Sequence, residues 1–221
     1  MDIVLLLDTT LNNSTQNEEF KTFLLDLVED FQIDCGTPRV AFVSFSSSPV
    51  LHFRLDKYSS KADMKSAIKS AIFTPGERNF ADAFHLLHRQ VFFAPYGDRP
   101  DAPNVILLIT TGNSERKKYE ASQQIQFLKD QNSILVVSKG VKDMTEIHSF
   151  ASDPHLENTY ELTQSENISL IKDLAYVGIC SLTTTYNYDN EDMEGSAVTA
   201  TESTPDIQIT NGIDSKYERR G

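Results

Sequence analysis

The fold is decided by the stretch Asp2-Ile3-Val4-Leu5-Leu6-Leu7-Asp8-Thr9-Thr10-Leu11-Asn12. Its first half is an uninterrupted apolar run, which is typical of a parallel strand buried on both faces. Its second half supplies carboxylate, hydroxyl and amide groups where that strand ends. In open α/β sheets, binding sites form at the carboxyl ends of the strands. The stretch therefore predicts a central parallel strand that carries a polar site at its end.

Strand and helix patterns alternate after this stretch. Strands are predicted over residues 40–45, 50–55, 105–111, 134–137 and 159–162, and helices over 17–31, 59–72, 79–90, 115–129, 145–151 and 165–179. Ser60 begins a capping-box-like sequence at the start of the second helix. Residues 50–55 alternate between apolar and polar, which indicates a half-exposed edge strand. The order predicts an α/β fold with a doubly wound, mostly parallel central sheet, one antiparallel edge strand and helices on both faces.

Residues 181–221 differ in composition from the rest of the chain. They are rich in Thr, Ser, Asp and Glu, with eight acidic and three basic residues and few bulky apolar ones. Such a segment buries too little apolar surface to offset the entropy of ordering it. We therefore predict a domain over residues 1–180 and an acidic, Thr/Ser-rich disordered tail or linker over 181–221.

The charge of the chain excludes some classes of function. With 32 acidic and 20 basic residues, the net charge is −12, which argues against binding to nucleic acid or to anionic lipid. No apolar run is long enough to span a bilayer, so no membrane insertion is expected. Met1 leads directly into the first strand without the apolar leader of a secretory signal, so a secreted form would begin upstream of this sequence.

Several segments together resemble the von Willebrand factor A domain, from Asp2 to Cys180. The likeness is strongest to the A domains of type VI collagen and of the matrilins. Six segments carry it in the right order, namely 2–8, 39–46, 58–63, 91–92 with 97–99, 108–114 and 151–155. The resemblance implies a metal-ion-dependent adhesion site at the carboxyl edge of the sheet. In competent members this site binds a divalent ion, usually magnesium, through a D-x-S-x-S motif, a Thr from a second loop and an Asp after the fourth strand.

The matching positions in this chain depart from that motif. They are Asp8, Thr10, Asn12, Arg78 and Thr111. Asn12 replaces the second hydroxyl of the motif, Arg78 stands where the coordinating Thr belongs, and Thr111 replaces the final Asp. The resemblance therefore implies a degenerate adhesion site, which has lost one of its two carboxylates and gained a cation.

These replacements predict a site without metal and a chain without a cofactor. Magnesium binds near-ideal octahedral oxygen ligands, and carboxylates supply the charge that offsets its dehydration. We expect Arg78 to pair with Asp8 in place of the ion. Magnesium binding stays open as an alternative, because Glu77 could serve as a replacement ligand.

Cysteine and asparagine positions suggest covalent modifications. Cys35 follows the first helix and Cys180 ends the last one, so both belong at the amino edge of the sheet. Two cysteines alone in an extracellular domain are more often paired than free, which predicts a disulfide between them. Asn12, Asn13 and Asn167 each begin an N-x-S/T triplet and are possible glycosylation sites.

The resemblance implies a secreted matrix protein that binds other proteins and is not an enzyme. Expected partners are collagens or neighbouring A domains, in a collagen-VI-like or matrilin-like protein of the extracellular matrix. One alternative is a magnesium-dependent, integrin-like adhesion domain. Another is an enzyme or ATPase subunit on a doubly wound sheet, but the first strand is not followed by the glycine-rich loop that a nucleotide phosphate needs.

Overall fold

The computed structural model describes residues 1–11, 13–31, 38–163 and 166, which form a single sheet flanked by helices. The strands are β1 (Asp2–Asp8), β2 (Arg39–Phe45), β3 (Pro49–Phe53), β4 (Asn104–Thr110), β5 (Ser133–Lys139) and β6 (Thr159–Leu162). The α-helices are α1 (Ser14–Asp30), α2 (Lys61–Ser70), α3 (Phe80–Leu86), α4 (Lys118–Lys129) and α5 (Thr145–Phe150). The strand order is β3-β2-β1-β4-β5-β6.

The predicted sheet is confirmed. Every pairing is parallel except that of β2 with the edge strand β3. The central strand β1 is buried along its whole length. Because successive side chains of a strand point to opposite faces, Leu5 packs into the core covered by α1 and α2, and Leu6 into the core covered by α3, α4 and α5.

The topology creates a crevice between β1 and β4. The chain moves from β1 to β2 and β3 on one side, and then from β4 to β5 and β6 on the other. Loops that leave the carboxyl ends of two such strands diverge, and the gap between them is where open α/β sheets bind ligands. Asp8 ends β1 and Thr110 ends β4 at this gap.

Local interactions set the helix ends differently from the sequence patterns. Helix α1 begins at Ser14, three residues earlier than predicted, because the Asn13 side chain accepts a hydrogen bond from the Gln16 amide at 3.2 Å. The expected capping box at Ser60 is wrong, since this side chain makes no capping hydrogen bond. The predicted helix over 79–90 is α3 followed by a single π-helical turn, Leu87–Val91.

Several expectations concern residues outside the described ranges. They are the helix over 165–179, the tail over 181–221, both cysteines, Asn12 and Asn167. Within the described part of the chain, none of the helices combines the length and apolarity needed to cross a bilayer.

A histidine joins the edge strand to the sheet. Nε2 of His52 lies 2.8 Å from Oγ of the buried Ser44. The imidazole stacks on Phe42 with ring centroids 4.6 Å apart. Burial lowers the pKa of His52, and the positive charge of Lys21 lowers it further. The folded state therefore favours the neutral imidazole.

We expect His52 to make the stability of the fold dependent on pH. The contribution is fully present above the ordinary histidine pKa of 6.5. Below pH 6.5 the unfolded chain binds a proton that the folded chain excludes. The stability of the fold therefore decreases as the pH is lowered, until the pH falls below the pKa of His52 in the folded state. Melting temperatures measured from about pH 7.5 to about pH 5.5 should fall less in His52→Gln than in the wild type. The exposed His85 supplies the control variant His85→Gln, which should behave as the wild type. Equal pH dependence in all three proteins would contradict this assignment.

Candidate functional site

A buried salt bridge occupies the crevice between β1 and β4. Nε of Arg78 donates to Oδ2 of Asp8 at 2.6 Å. The Arg78 side chain is 5% exposed and that of Asp8 is 0% exposed. The contact between these two side chains that the sequence predicts is present. A charge-assisted hydrogen bond in so dry an environment is strong, and neither partner can be removed without leaving a buried charge.

The Arg78 guanidinium uses every one of its N–H groups. Nη2 donates to Oγ1 of Thr10 at 2.7 Å and to Oγ1 of Thr111 at 3.0 Å. Nη1 donates to the carbonyl of Asn113 and to Oε1 of Glu115, both at 3.1 Å. A guanidinium carries five N–H donors, and the fifth is the Nε–H that bonds to Asp8. This group therefore has no donor left for a ligand.

Asp8 is equally saturated by hydrogen bonds. Oδ1 accepts from the backbone amide of Thr10 at 3.0 Å and from its hydroxyl at 2.7 Å. Besides Arg78, Oδ2 accepts from the Thr110 hydroxyl at 2.9 Å and from the Thr111 amide at 3.1 Å. The Thr111 hydroxyl lies 3.2 Å from the same oxygen. These donors satisfy both carboxylate oxygens in the absence of solvent.

The backbone of Arg78 connects the crevice to helix α4. Its amide donates to Oε2 of Glu115 at 2.9 Å, and its carbonyl accepts from the amides of Glu115 and Arg116. These amides are therefore held outside the helix, and Lys117 adopts a positive φ of 51° immediately before α4. This explains why α4 begins at Lys118 and not at the predicted Glu115.

A glycine permits the close packing of Arg78 against the β4–α4 loop. A Cβ on Gly112 would lie 2.6 Å from Nη1 of Arg78 and 2.9 Å from its Cζ. The guanidinium is fixed by five hydrogen bonds and cannot move aside cheaply. The loop after β4 therefore requires glycine at this position.

The structure brings together four of the five predicted site positions. Asp8, Thr10, Arg78 and Thr111 are in direct contact, and Asn12 lies outside the described residues. Glu77 does not approach Asp8, because its carboxylate pairs with Arg116 at 3.5 Å on the surface. The roles of Thr110, Asn113 and Glu115 in this site are not among the sequence predictions. The polar run that follows the buried strand β4 is the sequence signal that points to them.

The residues present do not fit a divalent cation. The guanidinium fills the position at which an ion would contact Asp8, and Thr111 supplies no second carboxylate. A metal would have to displace a bound cation and then bind oxygens that already accept several hydrogen bonds. Elsewhere in the described part of the chain, no group of three or more His, Cys, Asp or Glu side chains is arranged to hold a metal.

Sequence comparisons identify the family to which the chain belongs. The family model for the von Willebrand factor type A domain matches residues 2–174. The human von Willebrand factor A domain-containing protein 2 is 29% identical over 192 residues, which is 83% of this chain and 24% of that protein. Matrilin-1 of Gallus gallus is 26% identical over 181 residues, which is 81% of this chain and 36% of that protein. The chain thus spans about a quarter to a third of the length of these relatives.

Solved structures share the fold. Proximal thread matrix protein 1 from the mussel byssus superposes with a TM-score of 0.73 at 21% identity, over 81% of this chain and 47% of the other. A second structure of that protein, with a zinc-occupied adhesion motif, gives a TM-score of 0.69 at 25% identity, over 81% of this chain and 45% of the other. The mussel protein and this chain therefore share an architecture.

We expect the two carboxylates that contact Arg78 to differ sharply in their effect on stability. Asp8→Asn keeps the shape of the side chain but removes the charge that balances a buried guanidinium. It should lower the free energy of unfolding by about 3–5 kcal/mol. Glu115→Gln is the matched control, because the Glu115 side chain is 49% exposed. It should change stability by less than about 1 kcal/mol. Urea unfolding measures both, and equal losses would contradict the central role of the Asp8 pair.

Proposed function

Because the chain belongs to the von Willebrand factor type A domain family, we propose that it is a protein-binding module of the extracellular matrix that works without metal. We propose a secreted, collagen-VI-like or matrilin-like setting, with other matrix proteins such as collagens or neighbouring A domains as partners. The domain would act by binding and not by catalysis. A Cys35–Cys180 disulfide and glycans on Asn12, Asn13 or Asn167 would accord with secretion.

The relatives support the matrix role. Matrilin-1 and a matrix protein of the mussel byssus both share the domain with this chain. The net charge of −12 disfavours nucleic acid as a partner on electrostatic grounds.

The observation that carries the metal-free proposal is the 2.6 Å contact between Arg78 and Asp8. In metal-dependent members of the family, a carboxylate of the ligand completes the coordination of the ion. Here the corresponding cation is the Arg78 guanidinium, and its five donors are all engaged within the domain. A ligand carboxylate would find neither an open coordination position nor a free donor. Partner recognition is therefore proposed to use surfaces outside the crevice.

The salt bridge also gives the crevice a fixed arrangement. Arg78 ties the loop after β1 to the loop after β4, through Thr10 on one side and Asn113 on the other. Exchanging an ion or a ligand at this position would require breaking a buried charge pair, which is costly. We propose that the domain presents its binding surface constitutively, without a metal-controlled change of shape.

Binding with and without divalent metal tests this function directly. The full chain is passed over immobilised type VI collagen, matrilin-1 and a second copy of itself, in magnesium buffer and in excess EDTA. We expect binding to at least one of the three, with the same affinity in both buffers, because no ion takes part in the contact. Binding abolished by EDTA would contradict the metal-free proposal. Binding to none of them would contradict the partner class.

Calorimetric titration with magnesium or manganese provides the companion measurement. The wild type should give no saturable binding. The double variant Arg78→Thr, Thr111→Asp restores the ligand types of the family motif and should bind metal. Adding Asp8→Ala to that variant should abolish the gain. Saturable binding to the wild type that is lost in Asp8→Ala would refute the proposed replacement of the ion by Arg78.

A further inference from the structure

A second polar site lies at the opposite pole of the sheet, at the amino ends of the strands. The register pairs Asp2 with Asn104, and it pairs Val105 with Ser133. Asn104 is the first residue of β4, and Asn132 immediately precedes β5, so the two asparagines lie side by side. A groove of about 580 Å³ opens here, and its lining includes Asp98, Arg99, Asn104, Lys129, Asn132 and Ser152.

Three hydrogen-bond acceptors of this groove lack partners. Among the described residues, six side-chain oxygens are buried without a hydrogen-bond partner, and three of them are the Oδ1 atoms of Asp98, Asn104 and Asn132. Asn132 is 8% exposed, and its amide nitrogen donates to the Leu128 carbonyl at 2.6 Å, whereas its oxygen has no partner. Buried acceptors without donors are rare in folded proteins and call for an explanation.

The chemistry of the groove indicates what would bind there. All three unpartnered atoms accept hydrogen bonds, so a ligand has to donate them. Burial raises the pKa of the Asp98 carboxyl, although hydrogen bonding from the Asn104 side chain partly offsets this. A carboxylate in this environment gains from a cation that approaches it. The groove is also far larger than one water molecule, whose share of liquid volume is about 30 Å³.

The cations that already line the groove are engaged elsewhere. Arg99 donates from Nε to Oδ1 of Asp2 at 2.9 Å, and from Nη2 to the same oxygen at 2.5 Å. Nζ of Lys129 donates to the Ser149 carbonyl at 2.6 Å. Neither side chain reaches the three free oxygens as the structure stands.

We infer that this groove receives the side chain of a lysine or arginine from a protein partner. An ammonium or guanidinium group can donate several hydrogen bonds to the unpartnered oxygens. Its positive charge would pair with the carboxylate of Asp98. The net charge of −12 would attract basic partners over longer distances. The inference rests on the proposed protein-binding function and specifies the chemistry of the partner residue.

Nuclear magnetic resonance titration of the full chain with N-acetyl-arginine amide tests the inference. The backbone amides of the non-proline residues between 98 and 104, and those of residues 129–133, should shift in a saturable manner at millimolar concentrations of the probe. N-acetyl-citrulline amide has the same shape without the charge and should cause no comparable shifts. Saturable shifts of the same amides by calcium alone would make the groove a metal site and overturn the inference. The absence of localised shifts with the arginine probe would do so as well.

A pair of matched variants separates the groove from general electrostatics. Asp98→Asn removes the buried carboxylate, and it should weaken binding of the arginine probe by about tenfold. Asp101→Asn removes an exposed charge from the same loop and should leave the affinity unchanged. Equal weakening in both would contradict a specific site. The comparison of arginine with citrulline on the wild type remains decisive even if Asp98→Asn fails to fold. Probe binding at the groove without binding to any matrix protein would refute the proposed function alone, and the reverse outcome would refute this inference alone.

Discussion

The buried pair of Asp8 and Arg78 is the interaction on which the site depends. The sheet topology places a carboxylate at the switch point between β1 and β4, where its side chain is 0% exposed. Burying a carboxylate there is costly without a compensating positive charge. Metal-dependent type A domains solve this problem with a divalent ion. In this chain Arg78 supplies the charge, with Nε 2.6 Å from Oδ2 of Asp8.

The proposed replacement of an ion by a side chain would change more than the charge. An ion is exchangeable and leaves a coordination position for a ligand, whereas a guanidinium is covalently attached and directional. Nη1 and Nη2 of Arg78 contact hydroxyl and carbonyl groups on two loops. The backbone of Arg78 fixes the start of α4. A buried ion pair is weak evidence for stability, because desolvation offsets much of the attraction. Its clearer consequence is one defined arrangement of the crevice, with Gly112 as the position that allows the side chain to fit.

The sequence predicts those features of the fold and of the site that rest on continuous patterns. The apolar run of β1 predicts the central buried strand, and the family motif predicts that Arg78 meets Asp8. The remaining partners of Arg78 could not be foreseen, since Asn113 and Glu115 reach it through loop conformations that tertiary contacts determine. The helix starts differ for a similar reason, because an Asn13 cap extends α1 whereas backbone bonds to Arg78 shorten α4.

Contacts between segments that lie far apart in the chain cannot be predicted from the sequence either. Ser44 meets His52 only because β2 and β3 pair in one register. At the amino pole, Asp98, Asn104 and Asn132 belong to separate segments and share a groove only once β4 and β5 are aligned. None of these residues forms a motif along the chain. The carboxyl pole of the sheet thus holds a saturated charge pair, and the groove at the amino pole holds three of the six unpartnered side-chain oxygens found among the described residues.

The Nε–H resonance of Arg78 gives the most direct test of the central claim. Nuclear magnetic resonance reports this proton separately from those of exposed arginines, because burial and the bond to Asp8 slow its exchange with water. We expect a protected resonance that is the same in EDTA and in saturating magnesium. A resonance that exchanges rapidly in EDTA, or that moves to the position of a solvent-exposed arginine when magnesium is added, would contradict it.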